Sequence, residues 1–209
     1  MRVWTISWQE GTRGDELGRS LARELDVRLF DDELVAAVAA GCGLDPPSVR
    51  DLERHLPGPY LQWGLSLAVA FGGAAAAAEE LRRPQAMREL TERAIHAAAR
   101  EPCVILGRAA FAVLREQPGT LHLRVHAPLE WRAREYAREN YLPLERARDL
   151  VARDDRAREC YVRRLYRLEL RDDDNFDLVL DASRLSLAAM VELALVAGER
   201  QRAPLTAGR

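Results

Sequence analysis

Short segments rich in β-branched, aromatic and other apolar residues alternate along the chain with segments of helical periodicity. The strands that this pattern predicts lie at residues 3–7, 27–30, 103–106, 121–126 and 176–180. Helical patterns separate them, at about 15–25, 32–40, 129–171 and 187–200, with shorter helical pieces between 48 and 100. Strands that alternate with helices require crossover connections, so the sequence predicts an α/β fold. A parallel sheet of about five strands is expected, covered by helices on both faces as three layers.

The chain length favours one domain. A chain of 209 residues can bury one substantial core, and we expect a single domain over 1–209. Prolines and glycines interrupt the helical pattern between the second and third strands, which predicts a helical insertion at about 46–100. Arginine is dense at about 140–175, which suggests a helical lid.

Composition narrows the chemistry. The net charge is −2, which gives no general attraction to nucleic acid or to an anionic membrane. The sequence contains no lysine, so every basic side chain counted among the 31 Lys and Arg residues is arginine. Lysine chemistry is thereby excluded. The three cysteines, Cys42, Cys103 and Cys160, are far apart and predict neither a disulfide framework nor a zinc site.

The stretch 57–78 contains no charged residue and is long enough to span a bilayer. It is rich in alanine and glycine, which contribute little to membrane insertion, and Gly72-Gly73 would interrupt a helix. We therefore expect a buried helix or a subunit interface there, with a homodimer as one outcome, rather than a membrane span. The first residues read as a strand and not as a signal peptide, which favours a cytoplasmic protein.

Three segments should meet at one edge of the predicted sheet, because ligands of open parallel sheets bind at the carboxyl ends of the strands. These are residues 7–16, residues 31–33 and Gly107-Arg108. The first joins a strand to a helix through Gly11 and Gly14, and such a loop can direct backbone N–H groups at a phosphate. An ordinary tight turn is the competing interpretation of this loop.

The loop departs from the phosphate-binding pattern GxxxxGK followed by Ser or Thr. With Gly14 as the last glycine, Gln9 stands at the first glycine position. Asp15 replaces the lysine and Glu16 replaces the Ser or Thr. A carboxylate beside the phosphates introduces repulsion that costs several kcal/mol in a partly dry site. Arg13 or an arginine of the lid could restore the missing positive charge.

Five segments, in order along the chain, resemble the cytidylate kinase-like family. They are Ile6-Ser7 with residues 11–18 (GTRGDELG), residues 29–34 (LFDDEL), 103–109 (CVILGRA), 123–132 (LRVHAPLEWR) and 176–185 (FDLVLDASRL). The resemblance implies a P-loop kinase fold with a degenerate phosphate loop. It further implies transfer of the γ-phosphate of ATP, with Mg²⁺, to a nucleotide or another small-molecule acceptor.

The resemblance also implies roles for individual residues. Residues expected to bind the phosphates of the nucleotide are Gly11, Thr12, Arg13, Gly14, Arg153 and Arg163. Arg108 would hold an acceptor phosphate, with a surface ion pair as its competing role, and Arg156 would act from the lid. Asp31 is the candidate base or magnesium-orienting carboxylate, and capping of the next helix is its alternative role.

Two further functions stay open at the level of sequence. The acids at Asp15 and Glu16 favour a catalytically inactive relative of the kinases that serves as a binding or oligomeric scaffold. In the lid, Ala157 and Cys160 stand where the family carries Asp and Arg, which argues against cytidine monophosphate as the acceptor. A metal-dependent hydrolase using Asp31 and residues 172–174 has little in its favour.

Overall fold

The computed structural model describes residues 2–31 and 92–200. Five strands are present: β1 Val3–Trp8, β2 Arg28–Phe30, β3 Cys103–Leu106, β4 Thr120–His126 and β5 Leu178–Asp181. The helices are α1 Gly14–Glu24, α2 Ala110–Val113, α3 Leu129–Asn140, α4 Leu144–Tyr166 and α5 Leu187–Arg200, with a 3₁₀ turn at Asp173–Asn175. Residues 92–98 are also helical and lead towards β3.

All strand pairs in the sheet are parallel, and the strands lie in the order β2-β3-β1-β4-β5. Val3 at the start of β1 pairs with Cys103 on one side and Thr120 on the other. The carboxyl ends of β2, β3 and β1 are therefore neighbours at one edge of the sheet. The α/β fold with a five-stranded parallel sheet is confirmed.

Alternate residues of the strands point into two separate cores, as the pleat requires. On one face Trp4 and Ile6 of β1 pack with Leu17 and Leu21 of α1 and with Met190 of α5. On the other face Val3 packs with Ile105, with Ile95 of the 92–98 segment and with Leu114. The sheet is thus covered by helices on both faces, which gives the three layers that the sequence predicts.

The outcomes for the remaining sequence predictions differ. α5 has the predicted bounds, whereas the predicted helical stretch 129–171 is divided into α3 and α4 by a break at residues 141–143, where Tyr141 has a positive φ of 54°. The uncharged stretch 57–78, its predicted dimer interface and most of the 46–100 insertion lie outside the described residues. None of the helices within 2–31 and 92–200 combines the length and apolarity needed to cross a bilayer.

Candidate functional site

The three segments predicted to meet do lie side by side, because the sheet order brings their strands together. The loop after β1 covers residues 9–13, Asp31 follows β2, and Gly107-Arg108 follows β3. A guanidinium nitrogen of Arg108 donates a hydrogen bond to the backbone oxygen of Asp31 at 2.9 Å. The Trp8 ring lies within van der Waals distance of the position a Cβ would take at Gly107. Residues from three chain segments thus form one continuous surface.

The loop after β1 is a tight turn that leads directly into α1. The buried Thr12 closes it: its amide donates to the Gln9 oxygen at 3.2 Å and its hydroxyl donates to the same oxygen at 2.6 Å. Gly11 has a φ of 81° and Arg13 a φ of 59°, both in the left-handed region. The turn is therefore an ordered feature, stabilised by a fully buried polar side chain.

Several backbone amides of this loop are without a protein acceptor. In the part of the chain that the structure describes, the N–H groups of Gly11, Arg13 and Gly14 donate to no carbonyl or side chain. No side chain caps α1 either. Amides at the start of a helix, together with the helix dipole, favour an anion. The predicted phosphate-binding residues therefore include three whose amides have no acceptor among the described residues, while the Thr12 amide is used within the turn. Gly11 and Gly14 are buried, and Arg13 is half-buried.

Both acids at the loop are paired with arginines of the same chain segment. Arg13 contacts Glu16 through two hydrogen bonds, at 2.9 and 2.5 Å, and Arg19 contacts Asp15 at 2.6 Å. The hydrogen bonds from Arg13 lower the pKa of Glu16 below its usual value. The repulsion expected from two uncompensated carboxylates is therefore reduced, at the cost of occupying Arg13.

Arg132, on the first turn of α3, forms a buried ion pair beneath the loop. Its nitrogens lie 2.6 and 3.2 Å from the two carboxylate oxygens of Asp155 on α4, and the side chains are only 3% and 8% exposed. The same guanidinium donates to the backbone oxygens of Glu10 and Ala127, at 3.2 and 2.9 Å. A buried charge pair of this kind persists only when its donors are satisfied, and here each of the three guanidinium nitrogens donates at least one hydrogen bond.

Arg158 lies about one turn after Asp155 on α4 and contacts the start of the loop. It donates to the backbone oxygen of Trp8 and to the Glu10 carboxylate at 2.8 Å, and its guanidinium lies over the Trp8 ring, 4.9 Å from the centroid. It also forms a 2.9 Å ion pair with Asp154. Burial raises the pKa of Glu10 above its usual value, and the nearby Arg158 offsets this in part.

The three lid arginines singled out from the sequence lie on the exposed side of α4. Arg163 forms two hydrogen bonds with Glu169, at 2.8 and 2.7 Å, on a surface away from the loop. Arg153 and Arg156 are exposed and form no hydrogen bond or ion pair with any residue of 2–31 or 92–200. The arginines in contact with the loop segment are instead Arg132 and Arg158.

A periodic signal for Arg158 and Asp155 was present in the sequence. The buried positions of α4 include Ala147, Val151 and Asp155, each four residues after the previous one. Arg158 follows three residues after Asp155. Residues at i, i+4 and i+7 share one face of a helix, so Asp155 and Arg158 continue the apolar stripe that faces the protein. A count of arginines alone does not reveal this face.

A cavity bounded by described residues lies where β1 and β4 end, beside α4. Its polar lining includes Arg124, Arg158 and Arg171, together with Asp155 and Glu159. Its volume is about 20 Å³, close to that of one water molecule. This cavity is too small for a nucleotide.

Mg²⁺ was predicted to accompany the nucleotide. Within the described ranges no three His, Cys, Asp or Glu side chains are close enough together to hold a metal ion. Mg²⁺ in phosphotransferases is held by one or two carboxylates and by the substrate phosphates, and it keeps several waters. The described residues therefore show no cluster of metal ligands, and Mg²⁺ bound together with ATP stays a prediction.

Similarity to proteins of known sequence is partial. Over 118 residues the chain is 32% identical to a uronate isomerase of Corynebacterium glutamicum, a match that covers 56% of this chain and 23% of that protein. The chain thus spans less than a quarter of the length of this curated relative.

Solved structures of similar fold include several kinases. An uncharacterized protein from Eubacterium ventriosum superposes with a TM-score of 0.68 at 12% identity, over 96% of this chain and 100% of that one. A shikimate kinase from Bacteroides thetaiotaomicron gives 0.53 at 12% identity, over 95% and 98%. A gluconokinase from Sinorhizobium meliloti gives 0.52 at 14% identity, over 95% and 92%. At these identities the likeness shows the fold, which is that of the P-loop kinases.

The profile of the cytidylate kinase-like family matches residues 3–184. This match includes β1, the loop after it, the Gly107-Arg108 corner and all of α3, α4 and β5. It covers well over half of the chain, and it agrees with the fold and with the five resembling segments. The chain therefore belongs to the cytidylate kinase-like family.

Proposed function

We propose that the protein is an ATP-dependent phosphotransferase that moves the γ-phosphate to a nucleotide or another small-molecule acceptor. The observation that supports this best is the set of unpartnered amides at Gly11, Arg13 and Gly14, located between β1 and α1 in a chain of a kinase-like family. Phosphoryl transfer depends mainly on positioning and on neutralising phosphate charge, and a backbone cradle contributes to both.

Arg13 is the proposed replacement for the missing lysine. It lies within the loop, and its pairing with Glu16 is about 40% exposed on both sides. Ion pairs this exposed contribute at most about 1 kcal/mol, whereas a bidentate bond from arginine to phosphate is among the stronger hydrogen-bonded contacts. A triphosphate can therefore compete with Glu16 for the Arg13 guanidinium at little cost.

The acceptor is proposed to bind at Arg108 and Asp31, beside the Trp8 ring. Gly107, Arg108 and Ala109 have three consecutive positive φ values of 67°, 58° and 51°, a strained left-handed turn that places Arg108 at the carboxyl end of β3. Strain of this kind clusters at functional sites. In this proposal Arg108 holds an anionic group of the acceptor, and the Asp31 carboxylate accepts the proton of the attacking hydroxyl.

Roles for Arg153, Arg156, Arg163 and Mg²⁺ stay predictions, as do the cytoplasmic location and the homodimer. Since Arg163 is paired with Glu169, it can bind a phosphate only after that pair separates. Arg156 lies on the exposed side of α4, so a catalytic role there requires a substantial rotation or bending of the helix. We propose Arg158 as the lid arginine nearest to the transferring group.

A non-catalytic scaffold is the second candidate. One observation favours it: both loop acids already have arginine partners. In a scaffold the loop would be a structural turn, and Arg13 would serve Glu16 alone. Binding of a triphosphate at the loop separates the two candidates.

The test is a phosphoryl-transfer assay followed by ³¹P NMR. ATP and Mg²⁺ are incubated with a panel of nucleoside monophosphates, sugars and small hydroxy acids. The proposal predicts ADP formation that depends on one acceptor class and is lost in Arg13→Ala. Arg23→Ala is the matched control, because Arg23 is an exposed arginine of the last turn of the same helix. Turnover unaffected by Arg13→Ala contradicts the assigned role of Arg13, and absence of both turnover and ATP binding favours the scaffold.

A further inference from the structure

Two arginine bridges connect α4 to Trp8 and Glu10, at the start of the phosphate loop. The first bridge is Arg132, which contacts Asp155 of α4 on one side and the Glu10 backbone oxygen on the other. The second is Arg158 of α4, which contacts the Trp8 backbone oxygen and the Glu10 carboxylate. The loop is thus held by hydrogen bonds that originate in two different helices.

Contact between the backbones reinforces the first bridge. A Cβ at Gly11 would lie 2.5 Å from the Arg132 backbone oxygen, so the loop passes directly against the first turn of α3. Both the backbone and the side chain of Arg132 therefore limit where residues 10 and 11 can be. Since the Arg132 side chain is only 3% exposed, water does not compete for these hydrogen bonds.

Resting on the proposed function, we propose that Arg132 is a positioning residue that couples the location of α4 to the geometry of the phosphate loop through Asp155. Arg132 touches neither the unpartnered amides nor a reacting group. It fixes the Glu10 carbonyl and supports Gly11, and so sets the direction in which the amides of Gly11, Arg13 and Gly14 point. Asp155 passes any displacement of α4 to the same guanidinium.

A second ion pair between the same helices provides a natural comparison. Arg148 of α4 contacts Glu130 of α3 at 2.7 Å, but the pair is 48% and 54% exposed and does not reach the loop. If the two pairs serve only to hold α3 and α4 together, removal of the Arg132–Asp155 pair and removal of the Arg148–Glu130 pair should loosen the loop to a similar extent. If Arg132 positions the loop, removal of the Asp155 carboxylate should affect the loop selectively.

The experiment is amide hydrogen exchange measured by NMR on the full chain without nucleotide. The reporters are the Gln9 amide, bonded to the Val125 oxygen, and the Thr12 amide, bonded to the Gln9 oxygen. The reference is the Ala182 amide, which follows β5 and is bonded to the His126 oxygen on the side of β4 away from β1. The variants are Asp155→Asn, Arg132→Lys, the restoring variant Asp155→Glu, and Arg148→Ala.

Asp155→Asn is expected to accelerate exchange at Gln9 and Thr12 by about tenfold or more relative to Ala182, because local opening of the loop becomes easier. Arg132→Lys should also accelerate exchange at Gln9 and Thr12. Asp155→Glu keeps a carboxylate at this position, so its exchange should stay closer to that of wild type than the exchange of Asp155→Asn does. Arg148→Ala should leave the ratio within about twofold of wild type. Equal acceleration at all three amides, or an equal effect of Arg148→Ala, overturns the coupling and leaves Arg132 as a stabilising residue only. If Asp155→Asn does not fold, Arg132→Lys decides between the same two outcomes.

Nucleotide affinity is measured on the same variants to keep this inference separate from the proposed function. Asp155→Asn should weaken ATP binding by about tenfold while Arg148→Ala leaves it unchanged. If the wild-type chain binds no triphosphate, the proposed function fails, yet the exchange ratios still decide whether Arg132 positions the loop. If ATP binds equally well to wild type and Asp155→Asn despite a loosened loop, the positioning role in nucleotide binding is overturned.

Discussion

The two sides of α4 use arginine in opposite ways. On the inner side, Arg158 of α4 and Arg132 of the adjoining α3 are largely removed from water. Each contacts one backbone oxygen of residues 8–10 as well as a carboxylate. On the outer side Arg163 is 60% exposed, and among the described residues its hydrogen bonds go to the Glu169 carboxylate alone. In a chain without lysine, the number of arginines in a segment says little about its function. Burial and contact with the backbone distinguish the arginines that shape the site.

Two predictions about stability have the largest expected effects, and both concern the inner side. The first is Asp155→Ala, which leaves the Arg132 charge buried and unpaired. Breaking a buried pair in this way costs about 3–5 kcal/mol of unfolding free energy. Urea unfolding followed by tryptophan fluorescence measures this cost. Arg163→Ala is the matched change on the outer side and should cost no more than about 1 kcal/mol. Similar losses in the two variants would remove the distinction between the two sides.

The second is Gly11→Ala. The new Cβ would meet the Arg132 backbone oxygen at 2.5 Å, and the positive φ of 81° adds conformational strain. Backbone must shift to relieve such a contact, at a cost of about 1–3 kcal/mol. Gly119→Ala is the control, since Gly119 has a φ of 79° in the turn before β4, away from the loop. The excess loss in Gly11→Ala over Gly119→Ala, measured by thermal unfolding, reports the contact between the loop and α3.

The two Glu–Arg pairs on the two sides of α4 have glutamate pKa values that are shifted in opposite directions. Burial raises the pKa of Glu10 beside Arg158, whereas the hydrogen bonds from Arg163 lower the pKa of the exposed Glu169. The folded chain therefore holds the Glu10 proton to higher pH than the unfolded chain does. Ionisation of Glu10 costs stability as the pH rises above about 4.5. For Glu169 the sign is reversed, and its contribution is lost as the pH falls below about 4.5.

Glu10→Gln should consequently gain stability relative to wild type between pH 4.5 and 7, and Glu169→Gln should lose it over the same interval. The measurement is the difference in unfolding free energy between each variant and wild type at a series of pH values. Slopes of the same sign for both variants would show that the two carboxylates experience similar surroundings.

The smallest expected effect belongs to Arg156→Ala. Because this side chain is exposed and bonds to no residue in the described ranges, its removal should change stability by no more than about 0.5 kcal/mol. The matched change on the inner side is Arg158→Ala, which removes contacts with Trp8 and Glu10. A phosphoryl-transfer assay adds the functional comparison: loss of turnover in Arg156→Ala with activity retained in Arg158→Ala would reverse the roles proposed for the two arginines.

The fold could be predicted closely because it depends on local patterns. The apolar run 103–106 and the β-branched and aromatic residues of 3–7 predict strands by composition, and β3 and β1 are found there. The break at 141–143 was missed although Pro143 signals it, because a proline inside a helical pattern ends the helix before it. The left-handed Tyr141 itself carries no such signal. Short elements such as the three-residue β2 depend on pairing with β3, which is a tertiary contact.

The site was predicted only in part, for a physical reason. The loop after β1 and the Gly107-Arg108 corner follow from strand ends, which the sequence reveals. The partnership of Arg132 and Asp155 joins residues 23 positions apart on different helices, and no local pattern reports it. The selection of Arg158 among its neighbours depends on the rotation of α4, which the stripe of Ala147 and Val151 does record.

The central claim is that the amides of Gly11, Arg13 and Gly14 receive a phosphate group. The most direct measurement is a titration of ¹⁵N-labelled protein with ATP and Mg²⁺, with pyrophosphate as a second ligand, followed by amide chemical shifts. The account predicts saturable downfield shifts of these three amides, with little change at Arg163 or along α5. Unchanged loop amides at saturating nucleotide, or shifts confined to the exposed arginines of α4, would contradict it.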